Sequence, residues 1–176
     1  MNYYVFLLQP FHANIGKRLI KSPKIYFYDV GLASWLCGIE DQRQIPTHPL
    51  RGHLFENMVI METLKYRYNH GKRNNLYFYR DSNGNEVDLL YTRGQYLLPI
   101  EIKSGQTITP SYFRGLKKFC ALFPDQVPWP SILVYGGEME QLRQDFTVVS
   151  TFSLSRQLEQ AEVIPNMTTH DSKERH

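Results

Sequence analysis

Residues 86 to 105 read EVDLLYTRGQYLLPIEIKSG, and this stretch decides the fold of the chain. Two runs of mostly apolar residues flank the turn sequence TRGQ, which predicts a β-hairpin. Three ionisable residues, Asp88, Glu101 and Lys103, stand inside its strands, where charged side chains are rare unless they are paired. The hairpin therefore needs a chemical explanation as well as a structural one.

The second strand of the hairpin separates its apolar and charged side chains. In PIEIK, at residues 99–103, alternation points Ile100 and Ile102 to one face of the sheet. Glu101 and Lys103 then point to the other face. The apolar face suits a protein core, which leaves the charged face for chemistry.

The first strand shows the same alternation. Val87 and Leu89 are expected to share one face and Asp88 to point to the opposite one. A turn centred near Arg93-Gly94 places Asp88 across from residues 99–101. One face of the sheet would then hold Asp88 within a few ångströms of the acid and the lysine of the second strand.

Helix and strand patterns surround the hairpin in a regular order. Apolar residues recur at helical spacing over 52–69 and 109–123, whereas 75–81 and 131–137 read as strands and 145–158 as an edge strand with a short helix. The order helix, strand, strand, strand, helix, strand predicts an α/β fold. Its α-β-β-β-α-β core would contain a small mixed sheet flanked by helices.

The ends of the chain differ from this regular part. Residues 1–50 contain two aromatic-rich strands, a short helix that Asp29 would cap, and a polar linker, so they are expected to form a short N-terminal appendage. Residues 51–165 would form the main domain. The polar residues 166–176 are expected to be a disordered tail.

Composition sets limits on the class of protein. The 176 residues are 42% hydrophobic and 21% charged, which is typical of a globular chain, and the net charge of +3 permits nucleic-acid binding without arguing for it. The cysteines, Cys37 and Cys120, show neither a disulfide framework nor zinc spacing, which predicts a cytoplasmic protein. Residues 1–10 are too short for a membrane span, so no membrane partner is expected.

The charged face of the hairpin is suited to a metal ion. Asp88 and Glu101 would repel each other, and Lys103 would offset only part of their charge. Oxygen ligands of this kind favour a hard divalent cation such as Mg²⁺ or Mn²⁺. Glu56, near the start of the long helix, could point over the sheet as a further acid.

This arrangement resembles the PD-(D/E)XK nuclease superfamily, which has the restriction-endonuclease-like fold. The pattern of that superfamily is an acid on a helix, an Asp in the second strand and (D/E)-x-K in the third. The matching positions here are Glu56, Asp88 and Glu101-Ile102-Lys103, although the "PD" element is present only as Val87-Asp88.

The resemblance implies a Mg²⁺-dependent DNA endonuclease with four catalytic residues, namely Glu56, Asp88, Glu101 and Lys103. Asp88, Glu101, the Ile102 carbonyl and Glu56 would hold the metal against the scissile phosphate. Lys103 would either position the attacking water or stabilise the pentacoordinate phosphate, and the sequence does not separate these roles. A catalytically inactive module that uses the same fold to bind protein or DNA is the alternative.

A narrower resemblance extends over residues 10–137. The segments at 21–39, 51–66, 77–91, 99–105 and 114–119 resemble the uncharacterised C-terminal domain of a bacterial and archaeal AAA-type ATPase family. In that family an ATPase module and a winged helix precede this domain, and residues 1–20 resemble the last wing. The chain lacks a G-x-x-x-x-G-K-[ST] phosphate loop, the nearest fragment being Gly16-Lys17. The expected partners are an ATPase module or a second copy of the chain, bound through the N-terminal region.

Basic residues around this pattern are candidates for contact with DNA. They are Lys72, Arg73, Arg80, Arg114, Lys117 and Lys118. Turn chemistry with Asn83-Gly84 is the alternative for Arg80. Solvated charge that complements a helix dipole is the alternative for Lys72 and Arg73, and solvated charge is likewise the alternative for Arg114, Lys117 and Lys118.

Overall fold

The computed structural model of the chain describes residues 4–12 and 22–163. Its strands are β1 (Val5–Pro10), β2 (Lys24–Phe27), β3 (Leu76–Arg80), β4 (Glu86–Arg93), β5 (Tyr96–Lys103), β6 (Ser131–Tyr135), β7 (Gln141–Leu142) and β8 (Phe146–Val149). Its α-helices are α1 (Val30–Leu36), α2 (Arg51–Asn69), α3 (Arg114–Leu122) and α4 (Leu154–Ala161). The strands form one mixed sheet in the order β2-β1-β3-β4-β5-β6-β8-β7. The predicted α/β class is confirmed, but the sheet is larger than the small one expected.

The centre of the sheet follows the predicted order of elements. Strands β3, β4 and β5 form an antiparallel meander, and α3 then crosses over to β6, which is parallel to β5. Strand β8 is parallel to β6. Beyond β8, the only strand within the described residues is the two-residue β7, which is antiparallel to it. The helix predicted over 109–123 divides into a 3-10 helix (Pro110–Phe113) and α3.

Helices cover both faces of the sheet. One core cluster joins α2 and α4 to the sheet and contains Ile60, Leu64, Ile100, Ile102 and Leu158. The other joins α3 to the opposite face and contains Leu90, Leu116, Phe119 and Leu133. Ile100 and Ile102 therefore face the core, as the alternation in β5 predicts.

Strand β4 contains a register shift that the sequence did not indicate. Its pairing with β3 slips by one residue between Tyr77 and Tyr79, so two residues of β4 oppose Phe78. As a result Val87 packs in the α3 cluster, whereas Leu89 packs in the α2 and α4 cluster. The prediction that Val87 and Leu89 share one face is wrong for this reason.

The N-terminal strands are part of the same sheet. Strand β1 pairs in parallel with β3, through Gln9 and Pro10, and carries β2 at the sheet edge. Asn57 of α2 fixes this edge, because its side chain accepts a hydrogen bond from the Phe27 N–H and donates one to the Phe27 carbonyl, each at 2.8 Å. Asp29 caps α1 as predicted, and the expected linker contains a 3-10 helix (Gln42–Thr47).

Some predictions concern residues outside the described ranges. The expected tail at 166–176 and the Gly16-Lys17 fragment lie there, as does most of the segment that resembles a wing. Among the helices of residues 4–12 and 22–163, none is long and apolar enough to cross a membrane.

Candidate functional site

The site begins where β4 and β5 stop pairing. Their backbone register runs from Arg93 opposite Tyr96 to Leu89 opposite Ile100. Beyond this point the Asp88 carboxylate accepts a hydrogen bond from the Ile102 backbone N–H, with Oδ2 2.8 Å from the nitrogen. The Asp88 side chain thus accepts a hydrogen bond from an N–H group that would pair with the β4 backbone if the two strands stayed paired. This bond fixes the carboxylate beside β5.

Lys103 joins the two acids of the hairpin. Its Nζ lies 3.1 Å from Asp88 Oδ2 and 2.6 Å from Glu101 Oε1. Asp88 is 7% exposed and Glu101 is 8% exposed, so both carboxylates are buried. The structure therefore brings together Asp88, Glu101 and Lys103, as the hairpin sequence predicts.

Burial dominates the electrostatics of this triad. It raises the pKa of Glu101 to about 7, with a further contribution from the charge of Asp88 and opposition from Lys103. Burial also raises the pKa of Asp88, against the effect of Lys103. Burial alone would lower the pKa of Lys103, but the two acids outweigh it and raise that pKa. Asp88 and Glu101 thus share a single positive charge, the Lys103 ammonium, which neutralises only part of their combined negative charge.

One oxygen of Glu101 is buried without a polar partner among the described residues. Oε2 accepts no hydrogen bond there, and it lies against Gly115 of α3. A buried carboxylate oxygen normally has a partner, since leaving it unsatisfied costs about 1–3 kcal/mol or more. This atom is therefore the best indication in the structure that an absent group binds here.

A hard divalent cation fits this donor set. Asp88 and Glu101 each place a carboxylate oxygen within 3.1 Å of Lys103 Nζ. Mg²⁺ typically uses one or two carboxylates and completes its shell with water and phosphate. Within the described residues no three His, Cys, Asp or Glu side chains are grouped so that they could hold a metal ion. The protein's contribution would thus be two carboxylates and a backbone carbonyl.

Glu56 is engaged elsewhere. Its Oε1 accepts a hydrogen bond from the Tyr26 hydroxyl at 2.5 Å and pairs with Lys24 Nζ at 3.1 Å. Both partners come from β2. The helix acid therefore lies near the hairpin but bonds to the N-terminal strand, not to Lys103.

A cleft of about 680 Å³ opens beside Asp88. Glu56, Glu86, Lys24 and Arg80 line its polar side, while its apolar side comes from α1 and the start of α2. These polar groups form a chain of ion pairs, with Lys24 Nζ 2.6 Å from Glu86 Oε1 and Arg80 Nε 2.7 Å from Glu86 Oε2. Two further clefts, of about 440 and 450 Å³, lie near Trp129, and neither is lined by Asp88, Glu101 or Lys103.

Sequence reasoning missed Lys24 and Tyr26 as residues of this region and gave Glu86 no role in it. A signal was present, because alternation in KIYFYD would place Lys24 and Tyr26 on the same face of a strand. It gave no sign that this face meets the long helix, because the contacts to Glu56 span 30 and 32 residues.

The predicted DNA-contacting residues are divided between two ends of the molecule. Arg80 lies in the cleft. Helix α3 exposes Arg114, Lys117 and Lys118, of which Lys118 has its Nζ 2.6 Å from Asn85 Oδ1 and Lys117 lines one of the clefts near Trp129. Lys72 pairs with Glu162 at 2.5 Å, beyond the far end of α2. Arg73 follows it there.

The length of α2 separates these two groups. Its C-terminal residue Asn69 lies about 20 Å along the helix axis from Glu56, at about 1.5 Å per residue. The structure thus does not bring Lys72 and Arg73 to the site.

Comparisons with known proteins agree on a family without a known function. Residues 51–154 match the family model described as a domain of unknown function (DUF4143), and residues 1–43 match a second, described as a domain of unknown function (DUF8612). The chain is 36% identical over 131 residues to the uncharacterized protein Rv2008c of Mycobacterium tuberculosis and, equally, to the uncharacterized protein Mb2031c of Mycobacterium bovis. Each match covers 74% of this chain and 28% of the relative, so the chain spans less than a third of the curated relatives it matches. No solved structure matches the chain significantly.

Proposed function

The chain belongs to the DUF4143 family, a domain family often associated with AAA-type ATPases, and we propose that it is a metal-dependent hydrolase of DNA phosphodiester bonds. The observation that carries this proposal is the buried group of Asp88, Glu101 and Lys103. Two carboxylates share one ammonium, and one carboxylate oxygen has no partner among the described residues. A divalent cation would supply the missing charge and ligand.

The order of elements supports placing the domain in the PD-(D/E)XK superfamily. Helix α2, strands β3, β4 and β5, helix α3 and strand β6 follow one another as that fold requires. The Asp lies in the second of these strands and Glu-x-Lys in the third. Both the chemistry of these residues and the order of the elements thus support the proposed site.

The chemistry assigns a task to each residue of the triad. When bound, Mg²⁺ or Mn²⁺ would lower the pKa of a water molecule and neutralise charge on the phosphate. Asp88 and Glu101, with the Ile102 carbonyl, would hold that ion. Lys103 would orient the attacking water through its N–H groups or donate to the phosphate oxygens, since it already lies between the two acids.

The arrangement of Lys and Arg side chains supports DNA as the substrate. Arg80 lies in the cleft, and α3, which borders Glu101 at Gly115, carries Arg114, Lys117 and Lys118. Lys and Arg at such positions neutralise backbone phosphates and fix the strand. Lys72 and Arg73 are left out of this surface because they lie at the far end of α2.

The N-terminal region supports a proposal about partners. Leu7 of β1 and Ile25 of β2 are neighbours across the two strands, and they are 44% and 65% exposed. Exposed apolar pairs of this kind are suited to a protein partner. We propose that the partner is an ATPase module or a second copy of the chain, in the cytoplasm.

A cleavage assay tests the proposed function. Supercoiled, linear and branched DNA are incubated with the protein and Mg²⁺ or Mn²⁺, in parallel with Asp88→Ala and Lys103→Ala. We expect the wild type to cut at least one substrate and each variant to lose at least about 100-fold in rate, since each removes a metal ligand or a charge that stabilises the transition state. Cleavage that persists in both variants would exclude this site.

The triad itself also favours one alternative, a non-catalytic module. Lys103 satisfies one oxygen of each acid without a metal, and a buried ion pair can persist for structural reasons alone. In that case the wild type would bind DNA or protein without cutting DNA, and Asp88→Ala would lower the stability of the fold.

A further inference from the structure

Strand β2 places a cation and a phenol at the wall of the cleft. Lys24 and Tyr26 lie two residues apart in this strand, so their side chains point to the same face. Tyr26 is buried, and Lys24 is half-buried with a side chain that is 21% exposed. Both line the cleft that contains Asp88.

Lys24 is held from several sides. Its Nζ lies 3.1 Å from Glu56 Oε1 and 2.6 Å from Glu86 Oε1. It also lies over the Phe78 ring, 5.3 Å from the centroid. An ammonium group has three N–H donors, and the two carboxylates account for two of them. The third can reach a ligand in the cleft without breaking either pair.

Glu56 in turn is fixed by β2. The Tyr26 hydroxyl and the Lys24 ammonium both bind its Oε1. Glu56 thus accepts from the Tyr26 hydroxyl in addition to a lysine that it shares with Glu86, whereas Glu101 shares Lys103 with Asp88 and has a buried oxygen without a partner among the described residues. The described residues also contain no group of three acids that could hold a metal.

We infer that Lys24 contacts the substrate phosphate next to the metal and that Glu56 positions Lys24 instead of binding the metal. This inference rests on the proposed hydrolase function and adds a residue to the same site. It also gives β2, which lies outside the region matched by the DUF4143 model, a direct part in substrate binding. The role of Glu56 is then that of a positioning residue, acting through Lys24.

Two binding measurements on the full chain separate these roles. Affinity for a short fluorescein-labelled single-stranded DNA is measured by anisotropy with Ca²⁺, a hard cation that takes the same oxygen ligands. Affinity for Mn²⁺ alone is measured by calorimetry. The variants are K24Q, K24R, E56Q, the double variant K24Q/E56Q, and D88N as the metal-site reference.

A phosphate-contacting lysine predicts a specific pattern of results. K24Q should weaken DNA binding about tenfold and reduce its dependence on salt by roughly one phosphate contact, whereas K24R should keep most of the affinity. E56Q should weaken DNA binding several-fold and leave Mn²⁺ affinity unchanged. The double variant should be no weaker than K24Q, because the two residues act through one contact.

Lys65→Gln is the matched control. Lys65 is a lysine that pairs with Glu62 on α2, as Lys24 pairs with Glu56, but its side chain is 60% exposed and does not line the cleft. Its loss should leave DNA affinity within about twofold. Thermal melting of each variant shows whether it is folded.

Each contrary result has a definite meaning. Wild-type DNA affinity in K24Q would overturn the inference, and so would a loss of Mn²⁺ affinity in E56Q as large as in D88N. A wild type that binds no Mn²⁺ would instead remove the proposed function on which the inference rests. Should K24Q fail to fold, E56Q alone decides, because a metal ligand and a positioning residue predict opposite results for Mn²⁺.

Discussion

Glu101 is in an unusual environment for a carboxyl group. It is 8% exposed, pairs with Lys103 through one oxygen, and leaves the other without a partner among the described residues. Burial and the charge of Asp88 raise its pKa from 4.5 to about 7. In the metal-free protein Glu101 is thus partly protonated at neutral pH, and a divalent cation would displace that proton.

This raised pKa makes the stability of the fold depend on pH. Between about pH 4.5 and 7 the folded state holds a proton on Glu101 that the unfolded state releases, so the contribution of Glu101 to stability falls as pH rises through this window. Glu101→Gln removes the dependence. We expect this variant to match the wild type at pH 4.5 and to be more stable by on the order of 2 kcal/mol at pH 8, as measured by urea unfolding without metal.

The control for this prediction is Glu62→Gln, an acid to amide change on α2 at a side chain that is 53% exposed. Its effect should stay within about 0.5 kcal/mol at both pH values. An equal effect of Glu101→Gln at pH 4.5 and pH 8 would show that Glu101 does not titrate in this window.

Single residues differ in how readily the sequence revealed them. Asp88, Glu101 and Lys103 could be grouped because one turn sets the register of β4 against β5 and alternation holds in β5. Lys24 and Tyr26 could not, since their contacts with Glu56 depend on how β2 packs against α2. The ion pair of Lys72 with Glu162 could not be predicted either, because it joins residues 90 positions apart in the sequence.

Helix α3 lies unusually close to the hairpin at Gly115. A Cβ atom built at this position would lie 2.3 Å from the Glu86 carbonyl oxygen and 3.4 Å from Glu101 Oε2. The first distance is too short for any side chain, and the obstacle is backbone. The absence of a side chain at residue 115 thus lets α3 approach the strand that carries Asp88.

We therefore expect Gly115→Ala to destabilise the fold by about 1–3 kcal/mol, because α3 or β4 must move. Gly52→Ala in α2 is the matched control, since its Cβ would come no closer than 3.9 Å to Ser104 Oγ. Alanine favours a helix, so this change should be neutral or stabilising by up to about 1 kcal/mol. Urea unfolding measures both, and equal effects of the two substitutions would contradict this account of the contact.

The secondary structure was more predictable than its details. Apolar periodicity located α2, and strand alternation with turn residues located β3 to β5, because these signals are local in the sequence. The register shift in β4 depends on how Phe78 packs opposite two residues, which no local pattern encodes. This shift made the expected faces of Val87 and Leu89 wrong.

At the scale of the whole molecule, two family matches meet in one sheet. Residues 1–43 match one family model and residues 51–154 match another. The two regions are nevertheless joined, because β1 pairs with β3 and the Asn57 side chain hydrogen-bonds to the Phe27 backbone. The sequence suggested an appendage, because two strands and a short helix cannot form a core alone. It could not show where they would pack, since only three-dimensional pairing of β1 with β3 determines that.

The central claim is that Asp88 and Glu101 hold a divalent cation beside Lys103. Calorimetric titration of the wild type, Asp88→Asn and Glu101→Gln with Mn²⁺ at pH 8, where Glu101 is mostly ionised, tests it most directly. We expect the wild type to bind Mn²⁺ and each variant to lose at least about tenfold in affinity, because each removes one of two carboxylate ligands. A wild type that binds no Mn²⁺, or variants that bind it as tightly as the wild type, would contradict the account.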